Sequence, residues 1–126
     1  TKIHIYSTIS APTFSQMLGI RALSLPKKHV TKMVNEYKRR RNFIHKRLNE
    51  MDLCLAKPEG AFYAFANIGR RNSQKLAKQL LTKAKVAVIP GSEFGSSGEG
   101  YIRMSYATRM NKIKIAMDSM ERFLKH

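Results

Sequence analysis

The feature that most constrains this chain is an apolar stripe running through residues 27–51. Val30, Met33, Val34, Tyr37, Ile44, Leu48 and Met51 recur at spacings of three, four and seven. That spacing lines side chains along one face of an α-helix. The other faces carry Lys28, Lys32, Lys38, Arg39, Arg40 and Lys46. A long helix with one apolar face must bury it against a second layer.

The rest of the sequence supplies that layer. Beyond Met51 the pattern predicts a strand over Leu53–Ala56, a turn over Lys57–Gly60 and an aromatic-rich strand over Ala61–Ala66. Phe62, Tyr63 and Phe65 of that strand are read as core. Ser73 is placed to cap a helix through Lys83, with Leu76, Leu80 and Leu81 on its apolar face. Val86–Ile89 predicts a short strand, Pro90–Gly100 a Gly- and Ser-rich loop, and Tyr101–Tyr106 an alternating strand. A closing helix over residues 111–124 packs through Ile113, Met117, Met120 and Leu124.

Before the long helix, Ile3–Ile9 predicts an extended segment, and Pro12 opens a short helix over 13–24 that stops near Leu25-Pro26. The order is helix, helix, β, β, helix, β, β, helix. It predicts an α+β fold with the long helix and further helices packed on a small sheet. Residues 1–26 read as a lead-in segment, and 27–126 as the main domain.

Composition narrows the function. Hydrophobic residues are 43% of the 126, enough for a packed core. Lys and Arg number 24 against 8 Asp and Glu, a net charge of +16. Such a field attracts nucleic acid, anionic membranes or acidic partner proteins. It also arises when the acidic counterpart lies on another segment. Lys38-Arg39-Arg40-Arg41 is the densest basic run, but no RNA- or DNA-binding motif accompanies it, so nucleic acid is the lesser reading. Cys54 is the only cysteine; it reads as a small core residue, excludes an intrachain disulfide, and fits a cytoplasmic setting. No apolar run approaches the roughly 18–20 residues of a membrane span. His4, His29, His45 and His126 lack metal-ligand spacing. The start, Thr1-Lys2-Ile3-His4, with no initiator methionine, suggests a piece of something longer.

Arg103 is the leading candidate for chemistry. In Tyr101–Tyr106, alternation puts Ile102, Met104 and Tyr106 on one face and Tyr101, Arg103 and Ser105 on the other. A guanidinium on a strand can grip a carboxylate through two parallel hydrogen bonds. The plainer reading is an exposed arginine on a sheet edge. Ser24-Leu25-Pro26-Lys27 has the spacing of a serine acylase motif, but a prolyl turn is a poor place for it. Gly95–Gly100 is neither a dinucleotide fingerprint nor a P-loop; it reads as a mobile turn, with a lid near the substrate as the alternative.

The wider pattern is more specific. Val88-Ile89-Pro90-Gly91-Ser92-Glu93-Phe94-Gly95 leads through Gly98 and Gly100 to Ile102-Arg103-Met104-Ser105-Tyr106-Ala107. This resembles the segment of fold-type I, aspartate-aminotransferase-like enzymes in which a Pro-Gly turn and a Phe-Gly loop precede a strand carrying Arg-x-Ser-x-Ala. Pro58-Glu59-Gly60-Ala61-Phe62-Tyr63 is similar to that family's Pro-x-Gly-Ala-Phe-Tyr run. Tyr37-x-Arg39-Arg40-Arg41 resembles the basic patch on its long inter-domain helix, and Ser7–Thr13 with Gln16 the segment just after its cofactor lysine.

The resemblance covers essentially the whole chain, in order. It implies the small C-terminal domain of an α/β-type pyridoxal-phosphate transferase, with residues 1–26 packing on a large domain that this sequence does not contain. It implies an aminotransferase, cytoplasmic and homodimeric, exchanging an amino group between an amino acid (aspartate-like or aromatic) and a 2-oxo acid. The cofactor implied is pyridoxal 5'-phosphate. Arg103 inherits the grip on the substrate α-carboxylate, Phe94 is a candidate for shaping the pocket, and Ser7 and Thr8 are candidates for reaching a partner subunit's cofactor. The family's Ser-x-Ser-Lys, which carries the cofactor, has no counterpart in this chain. The fragment alone is therefore expected to be inactive. The alternative is a free-standing basic domain that binds nucleic acid or an acidic protein.

Overall fold

A computed structural model describes residues 3, 6, 7, 9–53, 56–69 and 71–125. They divide into two compact units, one up to Met33 and one from Val34 onward.

In the first unit Ile3, Tyr6 and Ser7 are helical, not extended. The Ser7 hydroxyl donates to the Ile3 carbonyl at 2.8 Å, the one-turn back-bond that serine makes within helices. Pro12 then precedes helix α1, Thr13–Leu23. Phe14, Met17, Leu18, Ile20 and Leu23 of α1 are all exposed.

Helix α2, Lys28–Glu50, matches the predicted long helix to within a residue at each end. Its stripe is buried only toward its C-terminal half. Ile44 and Leu48 are buried and Tyr37 is partly covered, whereas Val30, Met33 and Val34 are exposed. Past Glu50 the chain turns through Asp52, which takes positive φ, to buried Leu53. Leu53 and Ala56 are not in a strand; Cys54, between them, lies outside the described residues.

The sheet has three antiparallel strands among the described residues, in the order β1-β3-β2. Strand β1 is Tyr63–Asn67, β2 only Ile89–Pro90, and β3 Tyr101–Ser105. Val86, Val88 and the residue between them stay out of the ladder. Proline has no N–H to give a ladder, in keeping with so short an edge strand.

Helix α3, Ser73–Gln79, continues as a π-helical turn over Leu80–Ala84. Its cap is Asn72, whose side chain accepts from the Lys75 N–H at 2.8 Å, so Ser73 is the first helical residue rather than the cap. The wider turn buries Leu80 but leaves Leu81 exposed, against the sequence expectation. Helix α4 is Met110–Lys125. The architecture is α+β. Ile44 and Leu48 from α2, Ala64 and Ala66 from β1, Ile102 and Met104 from β3, and Ile113, Met117 and Met120 from α4 meet in one core.

Ion pairs dress this core. Arg47 on α2 bridges to Asp118 at 2.6 Å and Glu121 at 2.7 Å on α4. Much of the basic run is also spoken for. Glu36 pairs with Arg39 at 2.9 Å and Arg40 at 2.8 Å, and Arg41 donates to Asn42 and to the Pro58 carbonyl. The Arg39 and Arg40 guanidiniums, by hydrogen bonding, hold the Glu36 carboxyl down from 4.5 to about 2. Between those values the unfolded chain binds the extra proton. Glu36 therefore contributes stability that is complete above its unfolded pKa of 4.5 and is lost as pH falls toward about 2. Urea-unfolding midpoints measured stepwise across this window should fall more shallowly for Glu36→Gln than for the native chain. Equal slopes would show that the two arginines contribute nothing there.

Candidate functional site

Strand β3 is the centre of the sheet, not its edge. Arg103 stands opposite Phe65 of β1 on one side and Ile89 of β2 on the other. Ile102, Met104 and Tyr106 are buried on the core face, as alternation predicts, and Arg103 is half-buried on the opposite face. The edge-arginine reading is thereby overturned.

That opposite face is aromatic. Ala64 and Ala66 fill the core side of β1, so Tyr63 and Phe65 must point the other way. Phe62, Tyr63 and Phe65, read as core from the sequence, are each more than a third exposed. Phe65 stacks on Tyr101 with centroids 5.0 Å apart and an interplanar angle of 4°, and meets Phe94 edge-on at 5.9 Å. The Arg103 guanidinium carbon lies 4.4 Å from the Tyr63 ring centroid and 4.5 Å from that of Phe94.

Aromatic rings attract a guanidinium through cation–π contact without using its N–H donors, which stay available as a carboxylate-binding fork. Among the described residues no carboxylate pairs with Arg103, and its guanidinium donates no hydrogen bond. In a chain whose Arg39, Arg40 and Arg47 all have acidic partners, this one is held by aromatic side chains and left open to an anion.

Phe94 reaches the site on a folded-back loop. Gly91–Phe94 and Ser96–Gly98 form two short 3-10 turns, separated by Gly95 at φ 105°. At the base of the loop Gly91 and Gly98 touch so closely that a Cβ on either would fall on the other's carbonyl. Below them Glu99 receives the Ser73 N–H at 2.8 Å and the Ser73 hydroxyl at 2.7 Å. The Ser73 backbone and hydroxyl bonds hold the Glu99 carboxyl below the usual carboxylate range. The segment expected to be a mobile turn is thus pinned to α3.

The sequence reading singled out Arg103 and Phe94, and the fold brings these two together. It missed Tyr63, Ser73 and Glu99. The Ala64/Ala66 alternation in β1 was a signal for Tyr63; nothing local pairs residues 73 and 99. Ser7 belongs to the first unit, with its hydroxyl engaged by Ile3, and Thr8 lies outside the described residues.

Beside Arg103, Tyr63, Phe65 and Tyr101 also wall a hollow of about 590 Å³ with Ala56, Lys57, Pro58 and Asn67. It offers one amine, Lys57, and no acid.

A family model for aminotransferase class I and II matches residues 2–120. This chain belongs to that family. It is 45% identical to an aspartate aminotransferase of Pyrococcus abyssi and 44% identical to aromatic-amino-acid aminotransferase 2 of Thermococcus litoralis, each over 98% of the chain. The crystal structure of an aromatic aminotransferase from Pyrococcus horikoshii superposes with a TM-score of 0.91 at 46% identity, over 98% of this chain and 34% of that one. The chain spans 33% of the length of the two curated relatives. Family membership brings pyridoxal phosphate as the general cofactor; the reading as a free-standing nucleic-acid or acidic-protein binder finds no support in these matches.

Proposed function

We propose that this chain is the substrate-carboxylate-binding part of a pyridoxal-phosphate-dependent aminotransferase. The whole protein would move an amino group between an amino acid, aspartate-like or aromatic, and a 2-oxo acid. The observation that carries the reading is the Arg103 guanidinium, packed against Tyr63 and Phe94, with its N–H edges uncommitted among the described residues. Arg103 binds the α-carboxylate that every amino-acid and 2-oxo-acid substrate shares, and so orients the substrate for reaction. Such positioning can supply several kcal/mol, up to roughly 7–11 in well-aligned systems. Phe94 closes one side of the pocket. The relatives' names, aspartate and aromatic-amino-acid aminotransferase, support those two donor classes.

The cofactor, when bound, acts as an electron sink and needs an amine to join it and an acid at its ring nitrogen. The hollow beside Arg103 has no acid, so its lining does not fit as that seat, and in this reading it serves the substrate. In this reading residues 1–26 meet a large domain that carries the cofactor, Ser7 and Thr8 approach a partner subunit's site in a homodimer, and the enzyme is cytoplasmic.

The test is amino transfer by the full-length protein, purified with pyridoxal phosphate. Aspartate, phenylalanine and tyrosine are each offered with a 2-oxo acid, and the new amino acid is quantified by mass spectrometry. Stoichiometric amino acid and 2-oxo acid products are expected. Elimination or decarboxylation products in their place would overturn the aminotransferase reading.

A further inference from the structure

Phe94 is 47% exposed, at the tip of a loop that must leave β2 and return to β3. Ring contacts alone are weak tethers for such a residue. The loop is instead closed at its base by Ser73, Ser92 and Glu99. Ser73 is fully buried. Both of its donors go to one carboxylate, the N–H to Oε1 and the hydroxyl to Oε2 of Glu99. Ser92 Oγ lies 3.3 Å from Ser73 Oγ. Since the single Ser73 hydroxyl proton is committed to Glu99, Ser92 is the donor in that pair.

The clasp therefore joins the two ends of the loop, Ser92 and Glu99, through one side chain on the first turn of α3. Phe94 lies between these ends, and the Gly91–Gly98 contact braces the same base. Charge-assisted bonds of this kind are about twice as strong as neutral ones. A buried serine would leave unpaired donors if the carboxylate withdrew. With the base clasped in this way, the Phe94 ring centroid lies 4.5 Å from the Arg103 guanidinium carbon.

We propose that Ser73 and Glu99 are positioning residues for substrate binding: by clasping the loop base they hold Phe94 against Arg103, so that the guanidinium fork meets the substrate carboxylate in one orientation. This rests on the carboxylate-binding role of Arg103 proposed above.

The test uses the full-length enzyme and two readouts, steady-state kinetics and the Kd of 3-phenylpropionate, an unreactive carboxylic acid. Ser73→Ala and Glu99→Ala should each raise the Kd and the amino-acid KM about fivefold, the scale of one lost hydrogen bond, with a smaller change in kcat. Glu99→Gln, which keeps an acceptor for the Ser73 N–H, should recover part of the loss. Phe94→Ala should weaken binding similarly, and adding Ser73→Ala to it should cost nothing more, because the clasp acts through that ring. Independent, additive losses in the double variant would overturn the proposal, as would an unchanged Kd in Ser73→Ala whose melting temperature has dropped. Arg103→Gln separates the two readings. If it abolishes binding while the clasp variants do nothing, only the clasp fails; if it leaves the Kd unchanged, the carboxylate role itself fails.

Discussion

Arg103→Lys in the full-length enzyme is expected to raise the KM for amino-acid and 2-oxo-acid substrates about ten- to hundredfold, corresponding to the loss of one or two hydrogen bonds to a charged group. Lysine keeps the positive charge but not the planar fork, and its ammonium does not stack on aromatic rings such as Tyr63 and Phe94 as a guanidinium can. Charge alone would therefore hold the carboxylate without orienting it. The loss should be similar for donors of different side chain, because the α-carboxylate is common to them all. Kinetics across aspartate and aromatic donors would check this. A loss confined to one donor would place Arg103 at the side-chain end of the substrate, and unchanged kinetics for all would remove it from the site.

Leu48→Ala should cost about 2–5 kcal/mol of stability, the range for a buried leucine cut back to alanine. Leu48 is 0% exposed, in the cluster where α2, the sheet and α4 meet. Close packing leaves little room for neighbours to collapse into the void. Val30→Ala, on the same predicted stripe but 60% exposed, should cost far less in this chain by itself. Chemical denaturation of both variants measures the difference. Equal losses would mean that the two ends of the stripe are equally buried.

The contrast between those two residues also marks how far the sequence could be read. Its 3.6-residue period gave the length of α2 nearly to the residue, because a helix writes its own geometry into the spacing of its apolar positions. The two-residue period of Tyr101–Tyr106 likewise put Ile102, Met104 and Tyr106 in the core and turned Arg103 away from it. Motifs in chain order were enough to recognise the family, since each is a local run.

What the sequence left undecided depends on partners distant along the chain. Whether Val30 is buried is set by what lies beside it, not by its place on a stripe. Phe62, Tyr63 and Phe65 were read as core because they are large and apolar; the fold gave the core side to Ala64 and Ala66. That Arg103 lies on a central strand follows from β1 and β2 pairing on either side of β3, and strand order is not encoded in any one strand. Ser73 and Glu99 lie 26 positions apart, and only the tertiary structure places a helix's first N–H and hydroxyl under a loop's carboxylate. The sequence by itself determined the helices α1, α2 and α4, the two faces of β3 and the candidate guanidinium, because those are local periodicities and runs. The tertiary structure alone decided which aromatic rings hold that guanidinium and what holds the loop that brings one of them, because hydrogen bonds and stacked rings are made in space between residues the chain keeps apart.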